Sequence, residues 1–222
     1  MAERGVIVEF DFTALNGAEL LFETTKDFLQ NLDGIAFDIP TEARFLSGGN
    51  YQGGLQDLFA RVKTKKTAQK AARDLAAAFN AALAEAVPRA ITPAFRNFVK
   101  TLADRGVKVV LSTRADLARV QEAFAPVLGE NVSLYHEEST CYGSVKWDAW
   151  RRACVAHRLL NLAAIAVTGS GFGVKSALLA GLGAVAVVNP HVAYQDFSGA
   201  DAILKDLSAP TAKTLLGLLK LS

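Results

Sequence analysis

The chain has 222 residues, of which 51% are hydrophobic and 21% charged, a composition typical of a soluble globular protein. Its 24 basic and 22 acidic residues give a formal net charge of +2, which is too balanced to indicate nucleic acid or an anionic membrane as a partner. The N-terminus lacks a signal-peptide pattern, and polar residues and glycines interrupt the most apolar window, residues 159–188. We therefore expect a cytoplasmic protein without a membrane span.

The first apolar run of the chain ends in two carboxylates. Residues 6–8 are Val-Ile-Val, Glu9 and Asp11 follow one residue apart, and the Thr-Ala-Leu-Asn-Gly segment at 13–17 leaves strand geometry. Alternate residues of a strand point to the same face, so a strand that continues through Asp11 would bring both carboxylates into one small volume. Two like charges that close require a cation or a shared proton.

The segment after this strand predicts helices and has no strong strand signal. A helical apolar pattern ends near Gly34, and a loop is expected to run from there through Pro40 to the glycine-rich stretch 47–54. The helices predicted in this segment cover about residues 20–32, 55–62 and 67–86.

From residue 92 onward, helices and apolar strands alternate. Thr92 and Pro93 are typical of a helix start, with Thr as the N-cap and Pro in the first turn. The predicted helices cover about residues 93–105, 116–127, 145–160 and 171–180, and the predicted strands cover 107–111, 132–135, 163–167 and 184–188. Such apolar strands separated by helices indicate an α/β fold with a doubly wound parallel sheet covered on both faces.

Polar residues or glycines follow two more of these strands, and a lysine lies near the start of a predicted helix. Ser112 follows the strand at 107–111, Lys146 lies near a helix start, and the glycine-rich turn at 168–173 follows the strand at 163–167. Backbone N–H groups in such a turn could hold an anion or a dinucleotide phosphate. The third glycine comes one residue too early for a dinucleotide motif, and the next strand ends in Asn189 where an acid is expected.

The order and spacing of these features, from Val6 to about Leu207, resemble the haloacid dehalogenase (HAD) superfamily, in the subgroup of phosphatases and phosphomutases with a helical cap. The resemblance implies a Rossmann-like core of residues 1–13 and 88–222, a helical cap of residues 14–87, and the strand order 5-4-1-2-3. The site would lie beneath the cap, at the C-terminal ends of the strands.

The resemblance also implies roles for individual residues. The family's first motif is Asp-x-Asp-x-Thr/Val, in which the first Asp is the nucleophile and the second the general acid/base; Glu9 and Asp11 occupy these positions. The acid/base is kept and the nucleophile is not. Ser112 and Lys146 correspond to the groups that bind the phosphoryl oxygens, which a transferred phosphoryl group requires.

The family's metal-binding acids should lie in the loop that contains Thr168, Gly169 and Ser170, but no carboxylate occurs between Asp148 and Asp196. Mg²⁺ prefers an octahedron of hard oxygen ligands, so Glu9 and Asp11, helped only by a backbone carbonyl, would hold it poorly. A magnesium cofactor is therefore a weak expectation.

Three hypotheses follow for the function. The leading one is a HAD-like protein with little or no phosphoryl transfer, because glutamate reaches about 1.5 Å further than aspartate and a misplacement of about 1 Å can cost on the order of a hundredfold in rate. The second is an active phosphatase that uses Glu9 or Asp11 in an altered mechanism. The third is a non-catalytic module that binds a partner or a ligand, such as a phosphorylated small molecule or another small anion.

Overall fold

A six-stranded parallel sheet forms the centre of the computed structural model, which describes residues 3–47, 50–137 and 147–220. Its strand order is β3-β2-β1-β4-β5-β6, so the predicted α/β fold and the predicted order of the first five strands are confirmed. The sixth strand was not predicted and pairs with the outer edge of β5. The strands are β1 (Glu3–Glu9), β2 (Lys108–Thr113), β3 (Val132–His136), β4 (Leu159–Thr168), β5 (Gly183–Val187) and β6 (Ala202–Leu204).

Helices cover both faces of this sheet. Gly34 ends α2 in a left-handed conformation with φ of 64°, and the Thr92 hydroxyl accepts the Phe95 N–H at 3.2 Å at the start of α6, as the sequence predicts. The helices are α1 (Phe10–Thr13), α2 (Gly17–Asp33), α3 (Ile39–Phe45), α4 (Tyr51–Val62), α5 (Ala68–Ala90), α6 (Pro93–Ala103), α7 (Leu117–Phe124), α8 (Trp147–Ala156), α9 (Gly171–Leu179) and α10 (Ala209–Leu218).

Three local predictions were wrong, and one of them is the glycine-rich loop predicted to reach residue 54, because α4 begins at Tyr51. Pro40 lies in the first turn of α3 and not in a loop, because proline is compatible with a helix start and the Asp38 carboxylate caps this helix by accepting the Thr41 N–H at 2.9 Å. The helix predicted for residues 145–160 ends at Ala156, since Arg158 adopts a left-handed φ of 56° and β4 begins directly after it.

Alternating side chains of the central strands belong to two separate apolar clusters. Val8 and Leu111 join a large cluster with residues of α2, α4 and α5, whereas Ile7 and Val110 join a smaller one with Trp150 of α8. The segment from α2 to α5 therefore shares one continuous apolar core with a face of the sheet. Among the described residues, no helix is both long and apolar enough to cross a lipid bilayer.

A carboxyl group is buried within the α2–α5 segment. Glu42 of α3 is 6% exposed, and its buried Oε2 atom has no hydrogen-bond partner among the described residues. Burial raises the pKa of Glu42 to about 7, from an ordinary value of 4.5. Because the folded pKa lies above the unfolded one, the proton on Glu42 stabilises the fold at low pH, and this contribution is lost as the pH rises from about 4.5 through about 7.

We expect the Glu42→Gln variant to gain stability relative to the wild type as the pH rises. Its free energy of unfolding, compared with that of the wild type, should increase by about 2–3 kcal/mol between about pH 5 and about pH 8, because glutamine cannot ionise. Urea unfolding at both pH values measures this difference. The matched control is Glu122→Gln, at an exposed position of α7, which should show no such change; a Glu42→Gln difference independent of pH would contradict the prediction.

Candidate functional site

The C-terminal ends of three adjacent strands bring the predicted polar residues together. Glu9 is paired in register with Ser112 of β2, and Val8 is paired with Val167 of β4, so that Thr168 comes next beside the end of β1. All of these polar side chains are buried. This edge of a parallel sheet is where open α/β folds place ligand sites.

The backbone conformation at Asp11 differs from the one that the sequence predicts. β1 ends at Glu9 and the short helix α1 begins at Phe10, so Asp11 lies on a helix and not on an extended strand. Its carboxylate is 1% exposed and accepts two hydrogen bonds, from the Thr113 hydroxyl at 2.6 Å and from the Arg114 backbone N–H at 2.7 Å. Asp11 is thereby tied to the residues that end β2.

The Glu9 carboxylate is held by three donors. The Thr168 hydroxyl donates to Oε2 at 2.5 Å, the Gly169 N–H approaches the same atom at 3.4 Å, and the Arg114 Nη2 lies 3.4 Å from Oε1. Glu9 is 2% exposed. Both oxygens of the residue at the nucleophile position are therefore engaged within the protein.

Arg114 connects the two acids with the apolar core. Its side chain is 5% exposed, and its guanidinium carbon lies 5.3 Å from the centre of the Phe12 ring. Phe12 in turn packs against Phe79 of α5, with ring centres 6.3 Å apart. Among the described residues, the buried Nε of Arg114 has no hydrogen-bond partner. The site is thus closed on one side by a guanidinium stacked on an aromatic ring.

Burial dominates the electrostatics of the two carboxyls. It raises the pKa of Glu9 and of Asp11, and this effect outweighs the Arg114 charge and the hydrogen bonds, which lower the pKa of both. The two acids also influence each other, because the charge of Asp11 further raises the pKa of Glu9. One guanidinium therefore offsets only part of the cost of burying these two carboxylates.

The glycine-rich turn after β4 is shaped by close approaches to the site. A Cβ atom at Gly169 would lie 2.0 Å from the Phe12 carbonyl oxygen, and a Cβ atom at Gly173 would lie 1.9 Å from Thr168 Oγ1. Only glycine lets the turn approach α1 at Gly169, and lets the start of α9 approach Thr168 at Gly173, this closely. These contacts are the reason why Thr168 can reach Glu9.

Four N–H groups of this turn are already used inside the chain. Gly169 donates towards Glu9 and Ser170 towards Thr168, and the two helix-start donors have partners as well: Gly171 bonds Gln195 at 2.9 Å, and Gly173 bonds the Ser170 hydroxyl at 2.9 Å. Ser170 is thus a helix cap. An anion or a dinucleotide phosphate would have to compete with these internal acceptors for the N–H groups. The structure therefore does not favour the anion site that the sequence suggests.

The residues present do not fit a magnesium ion. Glu9 and Asp11 already accept hydrogen bonds from hydroxyl and N–H groups, and the positions from Thr168 to Ser170 supply no carboxylate. Within the described parts of the chain, no group of three or more His, Cys, Asp or Glu side chains is arranged to hold a metal ion. Mg²⁺ requires several oxygen ligands whose lone pairs are free to face it.

Sequence reasoning missed two residues of this site. Thr113 and Arg114 hold Asp11, although the sequence analysis assigned a role only to their neighbour Ser112. A cation directly after a buried strand, at the edge that carries two acids, is the signal that could have identified Arg114. Lys146 lies outside the described residues.

No protein-family model and no curated protein sequence matches this chain. Solved structures do match it over nearly its whole length. A phosphonoacetaldehyde hydrolase-like protein from Oleispira antarctica has a TM-score of 0.71 at 12% identity, and the match covers 99% of this chain and 94% of that one. A HAD hydrolase of family IA, variant 3, from Entamoeba histolytica has a TM-score of 0.70 at 14% identity, with 98% and 99% covered.

A third match is CbbY from Rhodobacter sphaeroides, solved in complex with phosphate. It has a TM-score of 0.68 at 18% identity, and the match covers 93% of this chain and 95% of that one. At such identities these similarities establish the fold alone. The chain has the fold of the HAD hydrolases, so the fold that the sequence resemblance implies is confirmed.

Replacing Thr168 with valine should destabilise the protein through Glu9. Valine keeps the shape of threonine but removes the 2.5 Å donor of a buried carboxylate, a loss of about 1.5–3 kcal/mol in the free energy of unfolding. Urea unfolding at neutral pH measures the change. Thr101→Val is the control, because its hydroxyl bonds a carbonyl on the exposed side of α6 and its loss should have little effect. Equal effects of both substitutions would contradict the role of Thr168.

Proposed function

We propose that this HAD-fold protein is of the phosphatase and phosphomutase type but has weak or no phosphoryl-transfer activity. In this proposal residues 14–87 are the cap, Ser112 and Lys146 are the residues that bind a phosphorylated small molecule, and Glu9 and Asp11 are the remnant of a catalytic pair. The proposal draws on the matched CbbY structures, one of which contains phosphate and another, of a variant, xylulose-1,5-bisphosphate.

The main support for the proposal is that both carboxylate oxygens of Glu9 already contact donors within the protein. A carboxylate nucleophile needs a lone pair aimed at the phosphorus atom and unobstructed by donors. Both oxygens of Glu9 instead face donors of the protein, Thr168 and Gly169 on one side and Arg114 on the other. The extra methylene of glutamate moves the carboxylate further from the backbone than aspartate would place it, which misaligns an in-line attack.

The chemistry of the surrounding donors supports the same conclusion. Asp11, at the acid/base position, accepts hydrogen bonds from Thr113 and from the Arg114 N–H, and both bonds favour its ionised form over the protonated form that a general acid needs. The loop from Thr168 to Ser170 offers hydroxyl and N–H groups where a metal-dependent enzyme of this fold needs acids. Defects at two independent positions favour a low rate over an altered but efficient mechanism.

Hydrolysis assays test the proposal directly. With p-nitrophenyl phosphate and a panel of phosphorylated sugars in the presence of Mg²⁺, we expect kcat/KM at least about 10³-fold below that of CbbY assayed alongside, because misplacement of a nucleophile and loss of charge stabilisation are each worth on the order of a hundredfold or more. Glu9→Gln and Asp11→Asn should leave the residual rate unchanged. Mg²⁺-dependent hydrolysis within about tenfold of CbbY, abolished by Glu9→Ala, would overturn the proposal.

Restoring the aspartate alone should not restore the activity. In Glu9→Asp the carboxylate is about 1.5 Å shorter in reach, but Arg114 and the acid-free loop remain, so we expect less than about a tenfold gain in kcat/KM. Glu9→Gln serves as the comparison that lacks any carboxylate. A gain of about 10³-fold or more would show that the length of one side chain is the whole defect, and would contradict this account of the site.

A second candidate function is binding of a small anion without turnover. It is favoured by the Arg114 Nε, a buried cationic donor without a partner among the described residues, which an oxygen of a phosphate group could satisfy. Thermal unfolding with inorganic phosphate and phosphorylated metabolites, in EDTA, should then show stabilisation without product formation. A metabolite screen with no shift in Tm would contradict this candidate.

A further inference from the structure

The carboxylate site has its own internal counter-charge. Glu9, Asp11 and Arg114 are 2%, 1% and 5% exposed, so water screens the charges of these three groups very little. Two buried carboxylates at one place are strongly unfavourable unless a cation or protons accompany them. Arg114 supplies such a cation from within the chain.

Arg114 acts on both acids from a single position. Its Nη2 lies 3.4 Å from Glu9 Oε1, and its backbone N–H donates to Asp11 Oδ2 at 2.7 Å. For each carboxyl, the Arg114 charge is the strongest of the influences that oppose the effect of burial on the pKa. No other described cation has an ion pair with either acid.

The surroundings of the guanidinium also suit an arginine better than a hydrated ion. Its carbon atom lies 5.3 Å from the centre of the Phe12 ring, and Phe12 is itself 5% exposed. A guanidinium is weakly hydrated and stacks on aromatic faces, whereas Mg²⁺ keeps several of its water ligands. The apolar wall made by Phe12 therefore favours the organic cation.

We propose that the guanidinium of Arg114 is the resident cation of this site, and that it takes the place of a divalent metal ion at Glu9 and Asp11. The protein then binds no divalent cation at these carboxylates while Arg114 is present. Removing the Arg114 charge turns the carboxylate pair into a site for a divalent cation. The inference concerns the charge balance of the site and does not depend on whether the protein turns over a substrate.

Thermal unfolding of Arg114 variants tests the inference. In about 10 mM MnCl₂ compared with EDTA, we expect Tm of Arg114→Gln to rise by about 3–6 °C and Tm of the wild type to change by less than about 1 °C. Arg114→Lys keeps the charge and should behave like the wild type. The Glu9→Gln, Arg114→Gln double variant lacks both the cation and one carboxylate, and its Tm should be insensitive to Mn²⁺.

A direct binding measurement keeps the inference testable if Arg114→Gln does not fold. Electron paramagnetic resonance of Mn²⁺ added to the wild-type protein should show free ion only, in both the absence and the presence of added phosphate. Tight binding of about one Mn²⁺ per chain, abolished by Glu9→Gln, would overturn the inference. A folded Arg114→Gln variant that gains no Mn²⁺ binding would overturn it as well, whatever the hydrolysis assays show.

Discussion

The burial of two carboxylates beside one guanidinium is the constraint on which this site depends. Glu9 and Asp11 are almost fully buried, and their charges are tolerable only because hydroxyl and N–H donors and Arg114 surround them. These donors come from the ends of β2 and β4, so the hydrogen bonds and the ion pair together link the ends of β1, β2 and β4. The close approach of Gly169 to Phe12 is part of the same packing, because it lets Thr168 reach Glu9.

The sheet could be predicted from the sequence because its signals are strong and redundant. Apolar strands separated by amphipathic helices leave few arrangements other than a parallel doubly wound sheet, and the family resemblance supplied the order of its first five strands. The failures were at short or ambiguous segments. Leu159 and Leu160 fit both a helical face and a strand, and the left-handed Arg158 that decides between them has no local signature. The three-residue strand β6 is too short to give a periodic pattern.

The candidate site was predictable in place but not in its contacts. Strand ends meet at one edge of a parallel sheet, which was enough to group Glu9, Ser112 and Thr168. Which donor faces which acid depends on the helix that begins at Phe10 and on the conformation of the Arg114 side chain, and neither follows from residue spacing. For that reason the sequence indicated two acids that need a cation without indicating that the chain provides one.

The glutamate, the arginine and the acid-free loop are best understood as parts of one charge balance. A divalent ion needs several oxygen ligands, often including carboxylates, and a loop that offers Thr168 and Gly169 in place of acids lowers the negative charge that the site must neutralise. A single guanidinium can then neutralise part of the negative charge of Glu9 and Asp11. The longer side chain of Glu9 allows its carboxylate to contact both Arg114 and Thr168. Loss of the Arg114 charge alone leaves two unpaired acids that a divalent cation can occupy, whereas efficient phosphoryl transfer would also need the aspartate nucleophile and the acids of the loop, and so several coordinated substitutions.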